Sequence, residues 1–434
     1  MTTTQERAGT GTRRGQVALW GYLVAEAVST TGTRMSMVAI PWFVLTTTGS
    51  AALTGVVGFA ELLPFVLVLA VGGPVIDRWG ARRVAVLSGF VAAVLVGAIP
   101  LLDELGTLPF GALLVLVALV GAVRGSSTAT YVLVPGLAEA AGTPIERASG
   151  LHDGMNRVAG MVGVPLAGVL MAVWSAPVVL LLDAASFVVA AVLLWTLVPR
   201  SAEPPRSGPR EDGRSAMSAY AEELRDGFRF LRGDRLLVAI GVMVLLTNMF
   251  DQAYGAVLVP VWVEQELGSP VGLGAIGGAF GVGAVLGSAL FAWLGPRLPR
   301  RGSYAWGFLV GGAPRFFVLA AAVTLPPVLA VSFLAGLGVG AINPALASTE
   351  YERIPRHLQA RVIGALGAVA TAGMPVGALL GGVLVATIGL TPTLVVVGTT
   401  YLLTTLSPFV FPVWRQMQRP VDVEGTVEPL HRQT

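Results

Sequence analysis

The sequence predicts an all-α integral membrane protein with twelve transmembrane helices in two pseudo-symmetric six-helix bundles. Its apolar composition, the placement of its arginines and an internal repeat lead to this fold class. Hydrophobic residues make up 54% and charged residues 12% of the 434 residues, and the mean hydropathy is +0.75. Soluble domains carry about 25% charged residues. This chain therefore lacks the charge to cover a water-facing surface, and a soluble globular enzyme is all but excluded.

Apolar runs separated by glycine, proline and charged residues predict twelve membrane spans. A spanning helix needs about 20 mostly apolar residues. Twelve such helices would therefore need a share of the chain close to the 54% of its residues that are hydrophobic. The predicted spans are 16–45, 51–75, 84–102, 109–134, 149–173, 177–198, 236–262, 271–294, 303–323, 327–348, 362–388 and 391–413.

The arginines predict how the chain is oriented in the membrane. All 28 basic residues are arginine, and 24 of them lie in the two tails and in alternate loops. Because cytoplasmic loops carry the excess of basic residues, we expect both termini and the segment 199–235 in the cytoplasm. The protein is thus predicted to be a multi-pass protein of a plasma or inner membrane. The arginine-, alanine- and glycine-rich composition indicates a bacterium with a GC-rich genome.

The segment 199–235 divides the chain into two halves. Within it, Pro204, Pro205, Gly208 and Pro209 indicate a flexible linker. The stretch Tyr220 to Leu231 has the spacing of an amphipathic helix, either on the inner membrane surface or as a solvated linker helix. The predicted domains are a cytoplasmic tail (1–15), a first bundle (16–198), the linker (199–235), a second bundle (236–413) and a cytoplasmic tail (414–434).

An internal repeat supports the division into two halves. At a constant offset of 214 positions, residues of span five coincide with residues of span eleven. Two parallel six-helix repeats of this kind place a substrate site at their interface near the middle of the membrane. The coinciding residues are Arg147, Gly150, Gly163, Gly168, Val169 and Leu170 in the first half and Arg361, Gly364, Gly377, Gly382, Val383 and Leu384 in the second.

The loop between spans two and three resembles the signature loop of the major facilitator superfamily. The resemblance rests on Gly73, Asp77, Arg78, Gly80, Arg82 and Arg83, with Ala81 where a basic residue is common. The second-half counterpart, residues 295–301, keeps its basic residues but lacks the aspartate. Together with the topology, the resemblance covers essentially the whole chain and implies a membrane transporter.

A conformational latch is the role that the resemblance implies for this loop. A carboxylate such as that of Asp77 is stabilised by about 0.3–1 kcal/mol at a helix N-terminus. Arg78, Arg82 and Arg83 are expected to pair with carboxylates on the cytoplasmic side, which would hold the halves together in one conformer. The alternative is that these arginines serve topology alone.

Span five contains a glycine- and proline-rich pattern that resembles a motif of exporter branches of the family. Small residues at this spacing allow helices to pack closely, and proline removes a backbone donor; generic tight packing explains the pattern equally well. Residues 32–42 also look like the first span of bacterial drug, macrolide and siderophore exporters. The proposed helix-packing residues are Gly160, Gly163, Pro165 and Gly168.

Polar residues inside the spans are candidates for the transport site, because a charge at mid-span costs about 2.5–3.5 kcal/mol on insertion scales. Glu26, Thr30 and Arg34 share one face of span one. Spans one, four, seven and ten line the central cavity in the family that this chain resembles. The candidates for substrate binding and proton coupling are Glu26, Arg34, Glu61, Arg124, Asn248, Asp251 and Asn343.

Chemistry suggests a role for each of these charges. A poorly solvated cavity favours the neutral form of a carboxylic acid, so Glu26, Glu61 or Asp251 is expected to exchange protons during transport. Arg124 is expected to hold one of them ionised, and Arg34 to do likewise or to balance Glu26. The alternative for each is a static ion pair. We expect structural roles for Asp183 and Arg315 in peripheral spans six and nine.

The leading functional hypothesis is a proton-coupled exporter of hydrophobic or amphipathic small molecules that works by alternating access. An importer or facilitator of a nutrient on the same fold is the alternative, and a membrane sensor without transport is a distant one. We expect no enzymatic activity, no cofactor and no nucleic-acid partner. We expect the protein to be a monomer in the lipid bilayer. Without cysteine and with three scattered histidines, no metal site is predicted, and without lysine there is no phosphate-binding loop for ATP.

Overall fold

A computed structural model describes residues 2–203 and 216–417, which are helical with short connections and contain no strand. For residues 2–12, 73, 74, 77, 127–129, 216–220 and 296 the description covers the backbone alone. The proline-rich part of the linker (Pro204, Pro205, Gly208 and Pro209) and the last part of the predicted C-terminal tail, 418–434, lie outside the described residues.

Twelve long helices follow the predicted spans. All but the first are long and apolar enough to cross a membrane, and the first carries a run of polar residues from Glu26 to Arg34. It begins within the predicted tail rather than after it. The helices are α1 (Thr2–Thr48), α2 (Ala51–Val71), α3 (Ala81–Glu104), α4 (Phe110–Ala141), α5 (Ile145–Val173), α6 (Ala176–Leu197), α7 (Arg235–Leu267), α8 (Val271–Leu294), α9 (Arg300–Ala321), α10 (Leu325–Arg353), α11 (Arg356–Ile388) and α12 (Leu390–Val410).

Several of the long helices are interrupted in the middle of the bundle. Helix α7 contains a π-helical turn at Tyr254–Leu258, and π-helical turns are frequent at functional sites. Helix α9 breaks at Gly312, where an added Cβ would lie 1.8 Å from the Tyr401 ring. Only glycine therefore allows α12 to approach α9 this closely, and the break directs the following turn, with Arg315, into the bundle.

A helix in the linker, Ala216–Gly233, covers the stretch predicted to be amphipathic. It packs against the start of α11, and the contact is close: an added Cβ at Gly227 would lie 2.4 Å from the carbonyl oxygen of Arg361. Asp226 lies 3.5 Å from the Arg361 guanidinium, and Leu231 is buried. Its inner face thus contacts the second bundle, a packing that neither a membrane-surface helix nor a solvated linker helix implies.

The two bundles meet at glycines. We call the end of the molecule with the α2–α3 loop and the linker the proximal end, and the opposite end the distal end. An added Cβ at Gly168 of α5 would lie 2.7 Å from the backbone of Gly274 on α8. On the other side, an added Cβ at Gly55 of α2 would lie 2.9 Å from Cα of Gly382 on α11. All four glycines lie in the distal part of their helices, so the bundles are closed at that end.

The internal repeat is reproduced in these contacts. Gly168 and Gly382, which coincide at the offset of 214, both contact the other bundle. Gly163 and Gly377, the next coinciding pair, both pack inside their own bundle, against the carbonyl oxygens of Thr31 on α1 and Met249 on α7. Equivalent glycines thus have equivalent neighbours, as two pseudo-symmetric bundles require.

The same symmetry relates two arginines at the proximal end. Arg82 of the signature loop donates to the carbonyl oxygens of Leu194, at 3.3 Å, and Trp195 at the end of α6. Arg301 donates to those of Pro408, at 2.9 Å, and Phe409, at 3.4 Å, at the end of α12. The acceptors are again 214 positions apart. Both arginines bind carbonyls in the last turn of a helix; the carbonyl of Leu194 also accepts from the Val198 N–H at 3.3 Å.

These contacts bear on the expected latch. The side chain of Arg82 is engaged within the first bundle, and its backbone N–H donates to the Glu203 carboxylate at 3.2 Å. Gly80 has a φ of +89° and faces the same carboxylate, so a side chain at that position would be strained and obstructed. A switching role for Gly73, Asp77, Arg78 and Arg83 stays a prediction.

Replacing Arg301 should destabilise the second bundle. In Arg301→Gln the last carbonyls of α12 lose a charged donor, and we expect the free energy of unfolding to fall by about 1–2 kcal/mol. Thermal unfolding of the purified protein in detergent measures this loss. Arg297→Gln is the matched control, because Arg297 is exposed and lies in the same loop. Equal melting of the two variants would refute the capping role.

Candidate functional site

A cavity of about 620 Å³ lies mainly in the first bundle. It extends from the middle of the molecule to Ala85 and Leu194 near the proximal ends of α3 and α6. Met374 alone, among the described lining residues, comes from the second bundle. The polar lining consists of Glu26, Ser29, Thr30, Thr33, Arg34, Glu61, Arg124, Thr130, Tyr131, His152 and Asn156. We call this space the first cavity.

A second cavity of about 380 Å³ lies between α1 and α5 of the first bundle and α7 to α10 of the second. Its polar lining comprises Arg34, Asp251, Gln252, Tyr254 and Ser332, together with Arg315. Arg34 and Met37 line both spaces. The two cavities therefore adjoin each other at one turn of α1, on the interface between the bundles.

A buried ion network crosses the first bundle. Arg124 of α4 pairs with Glu61 of α2, and its second nitrogen lies 3.5 Å from Oδ2 of Asp183 on α6. Asp183 is fully buried and accepts hydrogen bonds from Ser36 on α1 and from Ser186. The guanidinium of Arg124 thus connects α4 to α2 and α6, and Asp183 connects this group to α1. Asp183 was expected in a peripheral structural role, and the structure instead connects it to the charges of the cavity.

Glu26 lies in the first cavity without a cation. The hydroxyl of Thr130 is hydrogen-bonded to its carboxyl group, and no described arginine or histidine lies within ion-pair distance of it. Arg34, predicted as one possible partner, lies two turns further along α1. Glu26 is therefore a membrane-embedded acid whose charge the surrounding protein leaves unbalanced, which is costly in a medium of low polarity.

A polar cluster that the sequence reasoning missed lies beside Glu26. Thr30 donates to the Asn156 amide oxygen at 3.0 Å, and the Asn156 amide nitrogen lies 3.1 Å from Nε2 of His152. The His152 ring stacks on Tyr22, with 5.8 Å between centroids, and Tyr131 meets it edge-on at 5.1 Å. The four-residue spacing of His152 and Asn156 on span five was the available signal.

Arg34 is a cation without an anion. Among the described residues no carboxylate lies within ion-pair distance, and the guanidinium donates to the sulfur of Met37 at 3.7 Å. The charge of Arg124, which is of like sign, acts on it. The predicted balance between Glu26 and Arg34 is therefore absent from this conformation.

In the second cavity, Arg315 of α9 donates to Oδ1 of Asp251 on α7 at 2.6 Å. The guanidinium also lies over the rings of Tyr254, at 4.9 Å, and Phe280, at 5.4 Å, an arrangement that stabilises a desolvated cation. Asp251 was predicted as a site residue. The expectation of a peripheral position for Arg315 was wrong, because the break at Gly312 directs this turn inward.

Other predicted residues lie apart from the cavities. Asn248 donates to the carbonyl oxygen of Ala370 at 2.8 Å and so links α7 to α11. Asn343 lies in the proximal part of α10 and lines neither cavity. The four-residue spacing of Asp153 and Arg157 on span five predicts that they pair with each other or with the loop around Arg78. In the described structure they do not pair with each other, and Oδ1 of Asp153 lies 3.4 Å from Nδ1 of His152.

Comparison with known proteins identifies the family. The family model described as Major Facilitator Superfamily matches residues 22–255 and 240–430. The chain belongs to the major facilitator superfamily. It is accordingly a multi-pass membrane transporter of small molecules and not an enzyme.

Similar transporters are known from bacteria. The chain is 28% identical over 401 residues to the multidrug efflux pump Tap of Mycobacterium tuberculosis H37Rv, with 91% of this chain and 93% of the pump covered. It is 26% identical to the Tap pump of Mycolicibacterium fortuitum, covering 88% and 92%. To the staphyloferrin A transporter of Staphylococcus aureus it is 23% identical, covering 50% and 56%.

Solved structures of other transporters share the fold. A mutant of the nucleoside transporter NupG superposes with a TM-score of 0.72 at 11% identity, over 90% of this chain and 99% of that one. A bacterial homologue of the human lysosomal transporter Spinster, inward-facing and unoccupied, superposes with a TM-score of 0.70 at 12% identity, over 94% and 99%. At these identities the likeness concerns the fold alone.

Removing the central cation of the buried network should destabilise the first bundle strongly. Arg124→Gln leaves Glu61 and Asp183 without their partner, and breaking a buried pair on one side costs about 3–5 kcal/mol. Glu61→Gln should cost less, because Arg124 keeps Asp183. Thermal unfolding in detergent measures both, with Arg157→Gln, an exposed arginine of α5, as the control. If Arg124→Gln melts with the control, the network does not hold these helices together.

Proposed function

We propose that the protein exports hydrophobic or amphipathic small molecules across the plasma membrane in exchange for protons, by alternating access. The observation that carries this proposal is the unpaired carboxyl group of Glu26 in a cavity that reaches the proximal end, while glycine contacts close the distal end. Such a space is accessible from one side only. Transport then requires that the bundles separate at the distal end and close at the proximal one.

Arginine placement supports the sidedness. In the sequence, 24 of 28 arginines lie in the tails and in alternate loops. The described loops of this set lie at the proximal end, which we therefore assign to the cytoplasm. Both termini lie there in the proposal. The conformation described here is then the inward-facing one, in which cytoplasmic cargo and the cytoplasmic pH reach the first cavity.

Proton exchange is assigned to Glu26. An uncompensated carboxylate in a desolvated cavity is stabilised by taking up a proton or by binding a cation. Glu61 and Asp251 are less suited, because Arg124 and Arg315 hold them as ion pairs. Glu26 therefore carries the coupling, and the two pairs serve as fixed charges of the cavity walls.

The lining of the first cavity suits amphipathic cargo. Leu62, Phe65, Phe187 and Leu194 give it apolar walls beside the polar face of α1, a combination typical of small-molecule sites. The similarity to a protein named as a multidrug efflux pump supports export as the direction, and the similarity to a staphyloferrin A transporter supports a small-molecule cargo.

Proton-coupled exchange can be tested in liposomes. We expect that a neutral amphipathic dye, added to vesicles that contain the protein and a trapped pH indicator, moves one way while protons move the other. Glu26→Gln should abolish the proton movement and retain dye binding. Glu139→Gln, an exposed glutamate at the proximal end of α4, is the matched control. Dye movement without protons would indicate a facilitator, co-movement an importer, and wild-type coupling in Glu26→Gln would remove Glu26 from the mechanism.

A further inference from the structure

The second cavity contains buried hydrogen-bond donors that the protein does not use. Nε of Arg315 and the hydroxyls of Tyr254 and Ser332 are buried without a well-formed hydrogen bond. The three side chains are 7%, 6% and 1% exposed, and all three line the cavity. Unpaired buried donors each cost about 1–3 kcal/mol, so three around one space indicate a ligand that accepts hydrogen bonds.

A hydrogen bond between the hydroxyls of Tyr254 and Ser332 would not use all of these unpaired donors. The two hydroxyls lie close enough to interact, but a hydroxyl pair uses only one of its two O–H groups. The other remains free to donate. Together with Nε of Arg315, the cavity therefore offers at least two donors beyond its internal contacts.

The cavity also carries an unbalanced positive charge. Its charged lining residues are Arg34, Asp251 and Arg315, and the last two neutralise each other as an ion pair. Arg34 stays without a carboxylate, and Arg124, which lies on its other side, is itself held by Glu61 and Asp183. An unpaired arginine at mid-membrane costs about 2.5–3.5 kcal/mol on insertion scales, and an anion bound beside it would offset that cost.

We infer that the second cavity binds the carboxylate group of an amphipathic organic acid, whose apolar body lies in the adjoining first cavity. The guanidinium of Arg34 would bind the carboxylate in a two-pronged contact, and Arg315 Nε and a hydroxyl complete its shell. This inference rests on the proposed function, since it defines the cargo of the same pathway.

A carboxylate fits this space better than a larger or more highly charged anion. The carboxylate of Asp251 lines the same cavity, so a dianionic phosphate would meet stronger repulsion than a single negative charge. Leu273, Ile276 and Phe280 give the cavity apolar lining, and exclusion of water strengthens a charged hydrogen bond. Glu26 lies two turns away, about 12 Å along α1, and does not compete for Arg34.

A matched pair of fluorescent probes tests the inference. Dansyl-aminohexanoic acid and its primary amide differ only in the charge of one end, and dansyl emission rises in an apolar site. In titrations of the protein in nanodiscs, the acid should bind at least about tenfold more tightly than the amide, since charged hydrogen bonds contribute about 1.5–3 kcal/mol. Arg34→Gln should abolish this preference, Arg34→Lys should retain part of it, and Ser332→Ala should reduce it a few-fold.

The controls separate this inference from the proposed function. Arg157→Gln, outside both cavities, should keep the full preference for the acid. Equal binding of acid and amide, no binding of the acid, or an undiminished preference in Arg34→Gln would overturn the inference. If the inference fails in this way, proton-coupled movement of the neutral dye in the liposome assay would still support the export proposal. If that movement is absent while the acid binds, the export proposal alone is overturned.

Discussion

Backbone contact at four glycines determines the shape of the transport pathway. Where Gly168 meets Gly274 and Gly55 meets Gly382, no side chain separates the helices of the two bundles. Helices in a membrane associate through close packing and not through the hydrophobic effect, so small residues define where they meet. Contact at the distal end leaves the remaining space between and within the bundles at the middle and the proximal end. The first cavity lies there, and the second extends from the middle to Leu273, next to Gly274.

The low polarity of the membrane interior divides the charges into two classes. Glu61, Arg124 and Asp183 are joined to each other, as are Asp251 and Arg315, and these groups stabilise the arrangement of the helices. Glu26 and Arg34 are on one helix, and among the described residues neither has a partner of opposite charge in this conformation. The paired charges account for the structure, and the unpaired ones account for proton and substrate binding in the function we propose.

Much of the fold was predictable, because the spans follow from composition and from the residues that interrupt the apolar runs. The repeat at an offset of 214 correctly indicated equivalent halves, since Gly168 and Gly382 have equivalent contacts. The equivalence of Arg82 and Arg301 was not predicted, because it depends on the helix ends they reach, and the loop around Arg301 has diverged in sequence.

The composition of the site was predictable only in part. The polar face of α1 was visible from residue spacing, but the partner of a charge depends on which helices are neighbours. For this reason Asp183 and Arg315 were assigned to the periphery. Asn248 and Asn343 lie on the expected helices but apart from both cavities. For Asn248 a rotation of one residue, about 100°, decides this, and for Asn343 its proximal position along α10 does.

Disulfide cross-linking tests most directly whether the bundles must separate at the glycine contacts. The chain has no cysteine, so introduced pairs react without background. An added Cβ at Gly277 of α8 lies 3.2 Å from Cβ of Val164 on α5, close to the 3.5–4.5 Å range of disulfides. The control pair Gly97→Cys and Ala184→Cys, at 3.5 Å, lies within the first bundle. Oxidation of Val164→Cys with Gly277→Cys should stop transport until a reductant is added, and the control pair should transport in both states. Undiminished transport by the oxidised interbundle pair would contradict the account.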